Sequence, residues 1–236
     1  MRTFGLPSRD ASEIWPLLKA RISVLLETLA ETRSNRGTPL PMLHNSVALI
    51  LAKVFSLGLG FLAWLVAARL FTASDVGLAS AAVAGMMLCV QFAMVGVGSS
   101  IINLFPSAQR DPRRLLDSAF SIVGLASLGA SAIFLLFAAT ALQELRRVAT
   151  DPAFAAVFIL LGLFGAIGVL LDQVSTVLRR GDQALTRNVA AGVVTLALIA
   201  VLALGRSSSV SFGILVAWLV GSVAAVHVAA IRLARP

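Results

Sequence analysis

Two ionisable residues, Lys53 and Asp172, lie inside long apolar stretches of the sequence. Placing a charged side chain in lipid costs at least about 2.5–3.5 kcal/mol, so a charge at that depth needs water, a partner or a ligand. Lys53 follows Ser46 by seven residues, which is roughly 10 Å into its span at 1.5 Å per residue. Its ammonium group either extends back to the membrane surface or faces a water-filled cavity and meets an anionic headgroup.

The carboxylate of Asp172 lies at a similar depth, because Asp172 precedes the cationic Arg179 by seven residues. It either forms an ion pair with Lys53 or remains at the interface in contact with water. Gln173 is next to it, and two further amides, Gln91 and Asn103, lie in another apolar stretch. Each amide either hydrogen-bonds to a neighbouring helix or lines a route for a sugar-bearing ligand.

The motifs of common enzymes are missing from the sequence. Its glycine-rich stretches lie inside apolar runs and lack the Gly-Lys-Ser/Thr ending of a nucleotide-binding loop. There is no His–Glu metal signature and no serine nucleophile elbow. His44 and His227 are far apart, and a single cysteine, Cys89, can form no disulfide within the chain. We therefore expect neither enzymatic activity nor a metal or other cofactor.

The composition indicates lipid as the solvent of this chain. Of its 236 residues, 58% are apolar and 13% are charged, and the mean hydropathy is +0.94. A soluble globular protein is about 45–50% apolar and about 25% charged. A chain of this size cannot bury so much apolar surface in one core. The composition therefore excludes an ordinary soluble enzyme and predicts an all-α integral membrane protein.

Six apolar stretches are long enough, or nearly so, to cross about 30 Å of hydrocarbon. The predicted spans are 46–68, 78–104, 118–142, 152–171, 188–204 and 207–231. The fifth is short and must take residues from its flanks. This pattern predicts a six-helix transmembrane domain over 44–231, a cytoplasmic segment over 1–43 and a cytoplasmic tail over 232–236.

Residues 1–43 carry ten charges and no spanning run. Leu18, Ile22, Leu25 and Leu29 fall on one helical face. This spacing predicts either an amphipathic helix lying on the membrane surface or an ordinary helical tail.

The net charge of +8 has a topological explanation. No basic stripe alternates with exposed aromatic rings, so the charge does not indicate a nucleic-acid partner. With the N-terminus inside, 14 Lys and Arg residues fall in inner segments, Arg187 among them, and four fall in outer segments. Because cations are retained on the cytoplasmic side, we expect both termini to be cytoplasmic.

Small residues recur within the predicted helices. Gly162, Gly165 and Gly168 repeat at every third position of the fourth span. Such a groove either packs a neighbouring helix tightly or acts as a hinge. Gly96 and Gly98 are expected to loosen the second span.

The first outer loop carries the clearest family pattern. The first span ends in Ala68-Arg69-Leu70-Phe71, and the second opens with Thr72-Ala73-Ser74-Asp75-Val76-Gly77-Leu78. This resembles the polysaccharide and O-antigen flippases of the multidrug/oligosaccharidyl-lipid/polysaccharide exporter superfamily, in which an aromatic usually stands at the place of Val76. The run 95–98 and the basic segment 174–182 are also similar to stretches of that family.

The resemblance covers residues 43–204 and implies transport of an undecaprenyl-pyrophosphate-linked saccharide from the inner to the outer leaflet of the inner (plasma) membrane. It also implies that cationic side chains attract the pyrophosphate, a role that Lys53 and Arg69 fit. Family members carry 12 to 14 spans in two similar lobes, and this chain carries six. We therefore expect one lobe, completed by a second copy or by another six-helix lobe, unless the chain is a truncated product.

Two other readings remain open at the level of the sequence. One is a membrane scaffold for polysaccharide-assembly enzymes that transports nothing. The other is a multidrug exporter, which would be expected to place more acidic residues deep in its helices than the single Asp172. An interior cleft faced by Lys53 and Asp172 would favour the carrier over the scaffold.

Overall fold

The computed structural model describes residues 40–97, 100, 112–177, 180–205 and 209–234. The chain divides into two units, Met1–Leu43 and His44–Pro236. The helix expected around Leu18–Leu29 lies outside the described residues. The helices with described bounds are α1 Leu40–Leu70, α2 Ala73–Ala93, α3 Pro112–Ala141, α4 Arg146–Thr150, α5 Pro152–Val177, α6 Gly181–Leu204 and α7 Val210–Ala234, with a 3₁₀ turn at Gln143–Leu145 before α4.

Six of these helices, all except α4, are long and apolar enough to cross a membrane. A chain in hydrocarbon must satisfy its backbone hydrogen bonds internally, and a continuous helix does so without leaving its own segment. The described residues contain no strand. The prediction of an all-α membrane protein with six spanning helices is therefore confirmed.

Helix α5 lies at the centre of the bundle. It packs against α2, α3 and α7, and α6 packs along α7. Phe154, Phe158, Leu161 and Leu170 of α5 are fully buried. Phe158 stacks on Phe134 of α3 with ring centroids 5.3 Å apart. These contacts make α5 the helix around which α2, α3 and α7 are arranged.

Helix α1 is held differently from the other spans. Only 11% of its most apolar stretch is buried, against 39% for α5. Its contacts run through side chains: Ala63 and Ala67 pack in a cluster with Ile214 of α7, and Trp64 lies against Trp218 with ring centroids 5.8 Å apart. Of the six spans, α1 is therefore the least enclosed by the rest of the bundle.

The second span differs from its predicted bounds of 78–104. Helix α2 begins at Ala73 because Thr72 caps it: the Thr72 hydroxyl accepts from the backbone N–H of Asp75 and donates to its carboxylate. The helix ends at Ala93, and Gly96 has φ +79°. A glycine in this left-handed region interrupts the helix, so the apolar run is longer than the helix within it.

The fifth span also differs from its predicted bounds. Helix α6 begins at Gly181, seven residues before the predicted start at Asn188. The prediction that this span takes residues from its flank is confirmed. The sequence pattern predicts Arg187 in an inner segment just outside the fifth span. The prediction that it lies outside the span is wrong, because it lies in the second turn of α6 and is buried.

The glycine repeat of the fourth span faces three different surroundings. An added Cβ at Gly162 would lie 2.7 Å from the Ser131 hydroxyl of α3, and one at Gly165 would lie 3.3 Å from the Met86 sulfur of α2. Gly168 has nothing within 4 Å. Successive glycines of the repeat lie at different angles around α5. Side chains of neighbouring helices therefore pack closely against Gly162 and Gly165 but not against Gly168.

We expect Gly221→Ala to reduce the thermal stability of the detergent-purified protein. An added Cβ would lie 2.9 Å from the Ala191 carbonyl oxygen and would also meet the Thr195 hydroxyl, so α6 and α7 would have to separate. Overpacking of this kind costs about 1–3 kcal/mol. The matched control is Gly168→Ala, which should leave the melting temperature nearly unchanged. Equal melting temperatures for both variants would contradict the close approach of the two helices.

Candidate functional site

Asp172 is the centre of a polar cluster that joins three helices. The ammonium Nζ of Lys53 on α1 donates to Oδ2 of Asp172 over 3.2 Å. The guanidinium Nη2 of Arg187 on α6 donates to Oδ1. The amide Nδ2 of Asn188 lies 3.4 Å from the same Oδ1. A single carboxylate therefore connects α1 and α6 to the end of α5.

Chain geometry explains why Asp172 and Arg187 meet. Asp172 precedes the start of α6 at Gly181 by nine residues, and Arg187 follows it by six. Helices α5 and α6 are joined by a short connection around Arg180, so positions at similar distances from it face each other. Lys53 comes 13 residues after the start of α1 and completes the cluster at the same end of the bundle.

The three charged side chains differ strongly in their exposure. The Arg187 side chain is 3% exposed, that of Asp172 is 19% exposed and that of Lys53 is 68% exposed. Arg187 is the enclosed partner of the carboxylate, while Lys53 is the accessible one. Two cations face one carboxylate, so the cluster carries a net charge of one positive unit and attracts anions.

Two residues of this cluster were missed by reasoning from the sequence. The sequence pattern predicts Arg187 among the cations outside the spans and Asn188 only as the start of a span. The signal that could have found them is that Asp172 and Arg187 lie at similar distances along the chain from Arg180. An ion pair across an antiparallel helix hairpin requires this symmetry.

The other candidate residues that the structure describes form none of the hydrogen bonds or ion pairs of the cluster given above. Arg69 is exposed near the end of α1, 16 residues beyond Lys53, which is about 24 Å along the helix axis. Gln91 is exposed on α2. Asn103 lies outside the described residues. The structure joins Lys53 to Asp172, and among the described contacts neither Arg69 nor Gln91 forms a hydrogen bond or ion pair with them.

A small cavity lies beside the cluster, between α1, α6 and α7, with a volume of about 90 Å³. Asn188 lines this cavity and also approaches Asp172, but neither Lys53 nor Asp172 lines it. This cavity is therefore not the interior cleft that the sequence-based comparison of carrier and scaffold requires. Across the part of the chain that the structure describes, no three His, Cys, Asp or Glu side chains come together as a metal site.

These features define a multi-pass membrane protein with a cationic cluster at one end of its helix bundle. Nothing matches this chain in comparisons with protein-family models, curated proteins or solved structures.

Proposed function

We propose that this protein is a carrier, or one six-helix half of a carrier, for a polyprenyl-pyrophosphate-linked saccharide precursor in polysaccharide biosynthesis. The observation that carries the proposal is the cluster around Asp172, in which an exposed Lys53 is bound to a carboxylate that Arg187 also pairs. An anionic headgroup can therefore bind the Lys53 ammonium group while Asp172 keeps its ion pair with Arg187.

The first step of this mechanism is an exchange of partners at Lys53. A pyrophosphate oxygen replaces Oδ2 of Asp172 as the acceptor of the Lys53 ammonium group, and the net positive charge of the cluster favours the exchange. Asp172 keeps the hydrogen bond from Arg187 throughout. The carboxylate thus holds Lys53 in place before the ligand arrives and remains compensated afterwards.

The proposed location is the inner membrane, with both termini in the cytoplasm. The excess of cations in the segments at one side supports this orientation. It puts the Asp172 cluster on the cytoplasmic side, because α1 would enter the membrane there and α5 would end there. A precursor assembled in the cytoplasm would then meet Lys53 first. The polyprenyl tail remains in lipid, and α1, as the least enclosed helix, is the one whose displacement disrupts fewest contacts.

Full translocation in this proposal requires a second lobe. Alternating access in transporters built from repeats is a rocking of one repeat or bundle against another around a shared site. The second lobe is either a second copy of this chain or another six-helix bundle. The ligand head group would then lie between the two lobes.

Depletion of the protein in its own cell tests the proposal against the scaffold alternative. We expect the lipid-linked precursor to accumulate in the inner leaflet, because its synthesis continues while its transfer stops. The measurement is the amount of extracted precursor lipid and its accessibility to an impermeant sugar-modifying reagent at the outer surface. A scaffold predicts the opposite, since loss of enzyme assembly lowers precursor synthesis. A fall in precursor would therefore exclude the carrier.

A further inference from the structure

Lys53 is the most accessible charged side chain of the Asp172 cluster. It is 68% exposed, and residues 53–58 of α1 are all exposed. Arg187, the other cation of the cluster, is 3% exposed. The cytoplasmic leaflet of a membrane contains anionic phospholipids, whose headgroups attract cations near the surface. In the orientation proposed above, an unprotected ammonium group at this position would therefore be occupied by phospholipid phosphates.

Asp172 already occupies the ammonium group that such a headgroup would bind. Its Oδ2 lies 3.2 Å from Nζ of Lys53. The carboxylate belongs to α5, the central helix, and its Oδ1 accepts from Arg187. Because the carboxylate and the ammonium group are parts of one folded chain, each is present to the other at a high effective concentration. Every anion that binds Lys53 must therefore compete with Asp172.

The charge of the incoming anion decides this competition. The free energy needed to separate Lys53 from Asp172 is the same for every anion, whereas the attraction of the anion to the cluster grows in proportion to its charge. A phosphodiester headgroup carries a single negative charge, so it replaces one carboxylate charge with one phosphate charge and gains little. A pyrophosphate headgroup carries more than one charge and gains more attraction against the same cost.

From this geometry we infer that Asp172 is a specificity-determining residue, which keeps singly charged phospholipids off Lys53 and admits a lipid whose headgroup carries more than one negative charge. The inference rests on the proposed function and explains how the same site rejects the surrounding membrane lipid. An element that disfavours the wrong ligand is a general route to specificity. Arg187 supports this role, because it remains the partner of Asp172 when Lys53 binds the ligand.

The test measures how a singly charged phospholipid affects the binding of polyprenyl pyrophosphate to the full-length protein in nanodiscs. One set of nanodiscs contains phosphatidylcholine alone, and the other contains phosphatidylglycerol in addition. Native mass spectrometry gives the affinity in each set. Bound and free ligand lie in the same bilayer, so its surface charge acts on both. We expect the wild-type affinity to differ by less than about twofold between the sets, because phosphatidylglycerol does not occupy Lys53.

A double variant removes the competing carboxylate without changing the net charge of the cluster. Asp172→Asn with Arg187→Met deletes one negative and one positive charge and leaves Lys53. It should bind polyprenyl pyrophosphate in phosphatidylcholine at least as tightly as the wild type does. Added phosphatidylglycerol should weaken this binding about tenfold, as expected when the competing lipid is present at about ten times its dissociation constant.

Two single variants complete the comparison. Asp117→Asn removes an exposed carboxylate from α3 and should behave as the wild type in both sets of nanodiscs. Arg187→Met alone leaves Lys53 as the ion-pair partner of Asp172, so no buried charge is left unpaired. Because Lys53 is then harder to release, binding of polyprenyl pyrophosphate should weaken by at least about tenfold. This variant keeps the inference testable if the double variant fails to fold.

The outcomes separate the charge threshold from the proposed function. A fall of about tenfold in the wild-type affinity on adding phosphatidylglycerol would overturn the threshold and leave the proposed carrier standing. A double variant that is as insensitive to phosphatidylglycerol as the wild type, or an unchanged affinity in Arg187→Met, would also overturn it. Failure of the wild type to bind polyprenyl pyrophosphate in either set would overturn the proposed function and the threshold together.

Discussion

Replacing Asp172 with asparagine should sharply reduce the amount of folded protein in the membrane. Arg187 is almost completely enclosed, with a side chain 3% exposed, and Asp172 is its ion-pair partner. Removing one member of a buried ion pair leaves the other charge without compensation and costs about 3–5 kcal/mol. The level of membrane-inserted protein and its melting temperature in detergent measure the effect. We expect Asp172→Asn to be the most damaging single substitution of a charged residue in the helices.

Two further variants make this prediction specific to the ion pair. Asp117→Asn removes an exposed carboxylate from α3 and should leave both measurements close to those of the wild type. The double variant Asp172→Asn with Arg187→Met should recover much of the lost stability, because the unpaired charge is removed with its partner. Failure of the double variant to recover, with Asp117→Asn normal, would show that Asp172 stabilises the protein by another route.

Replacing Lys53 with alanine should abolish most saccharide export and leave the amount of protein unchanged. The Lys53 side chain is 68% exposed, and such ion pairs contribute roughly 0–1 kcal/mol to stability. Asp172 keeps Arg187 as its partner, so no charge is left alone. The substitution instead weakens binding of the anionic headgroup, since Lys53 is the accessible cation in the proposed site. Export is measured in a strain whose surface polysaccharide depends on this protein.

The conservative variant separates charge from packing. Lys53→Arg keeps the positive charge and the hydrogen-bond donors, so it should retain a substantial part of the export that Lys53→Ala loses. Normal export by Lys53→Ala would contradict a role for this side chain in transport. A matching loss of membrane protein in Lys53→Ala would assign the effect to stability.

The spans themselves were predictable because the solvent is lipid. A stretch such as 152–171 must be helical in hydrocarbon, and its length alone identifies a crossing. Counting residues along two such helices predicts similar depths for Lys53 and Asp172. The distance between their charged groups, 3.2 Å, agrees with the ion-pair alternative.

The ends of the spans were less predictable, because local hydrogen bonding decides them. Thr72 starts α2 five residues before the predicted position by capping its N-terminus, and Gly96 interrupts the run after Ala93. At α6 the wrong helix start also hid a residue of the candidate site. Arg187 follows two other arginines closely in the sequence, as loop cations often do. The helix nevertheless starts at Gly181, so Arg187 is part of it and is buried in the bundle.

The sequence by itself determined that the solvent is lipid, that six helices span it, and that Lys53 and Asp172 lie within two of them. Only the tertiary structure decided that Arg187 and Asn188 join Lys53 and Asp172 and that a small cavity lies beside them between α1, α6 and α7. The physical reason is that the sequence does not specify how each helix is rotated about its own axis. Hydropathy specifies that a segment crosses the membrane, whereas side-chain packing specifies which face of each helix meets its neighbour.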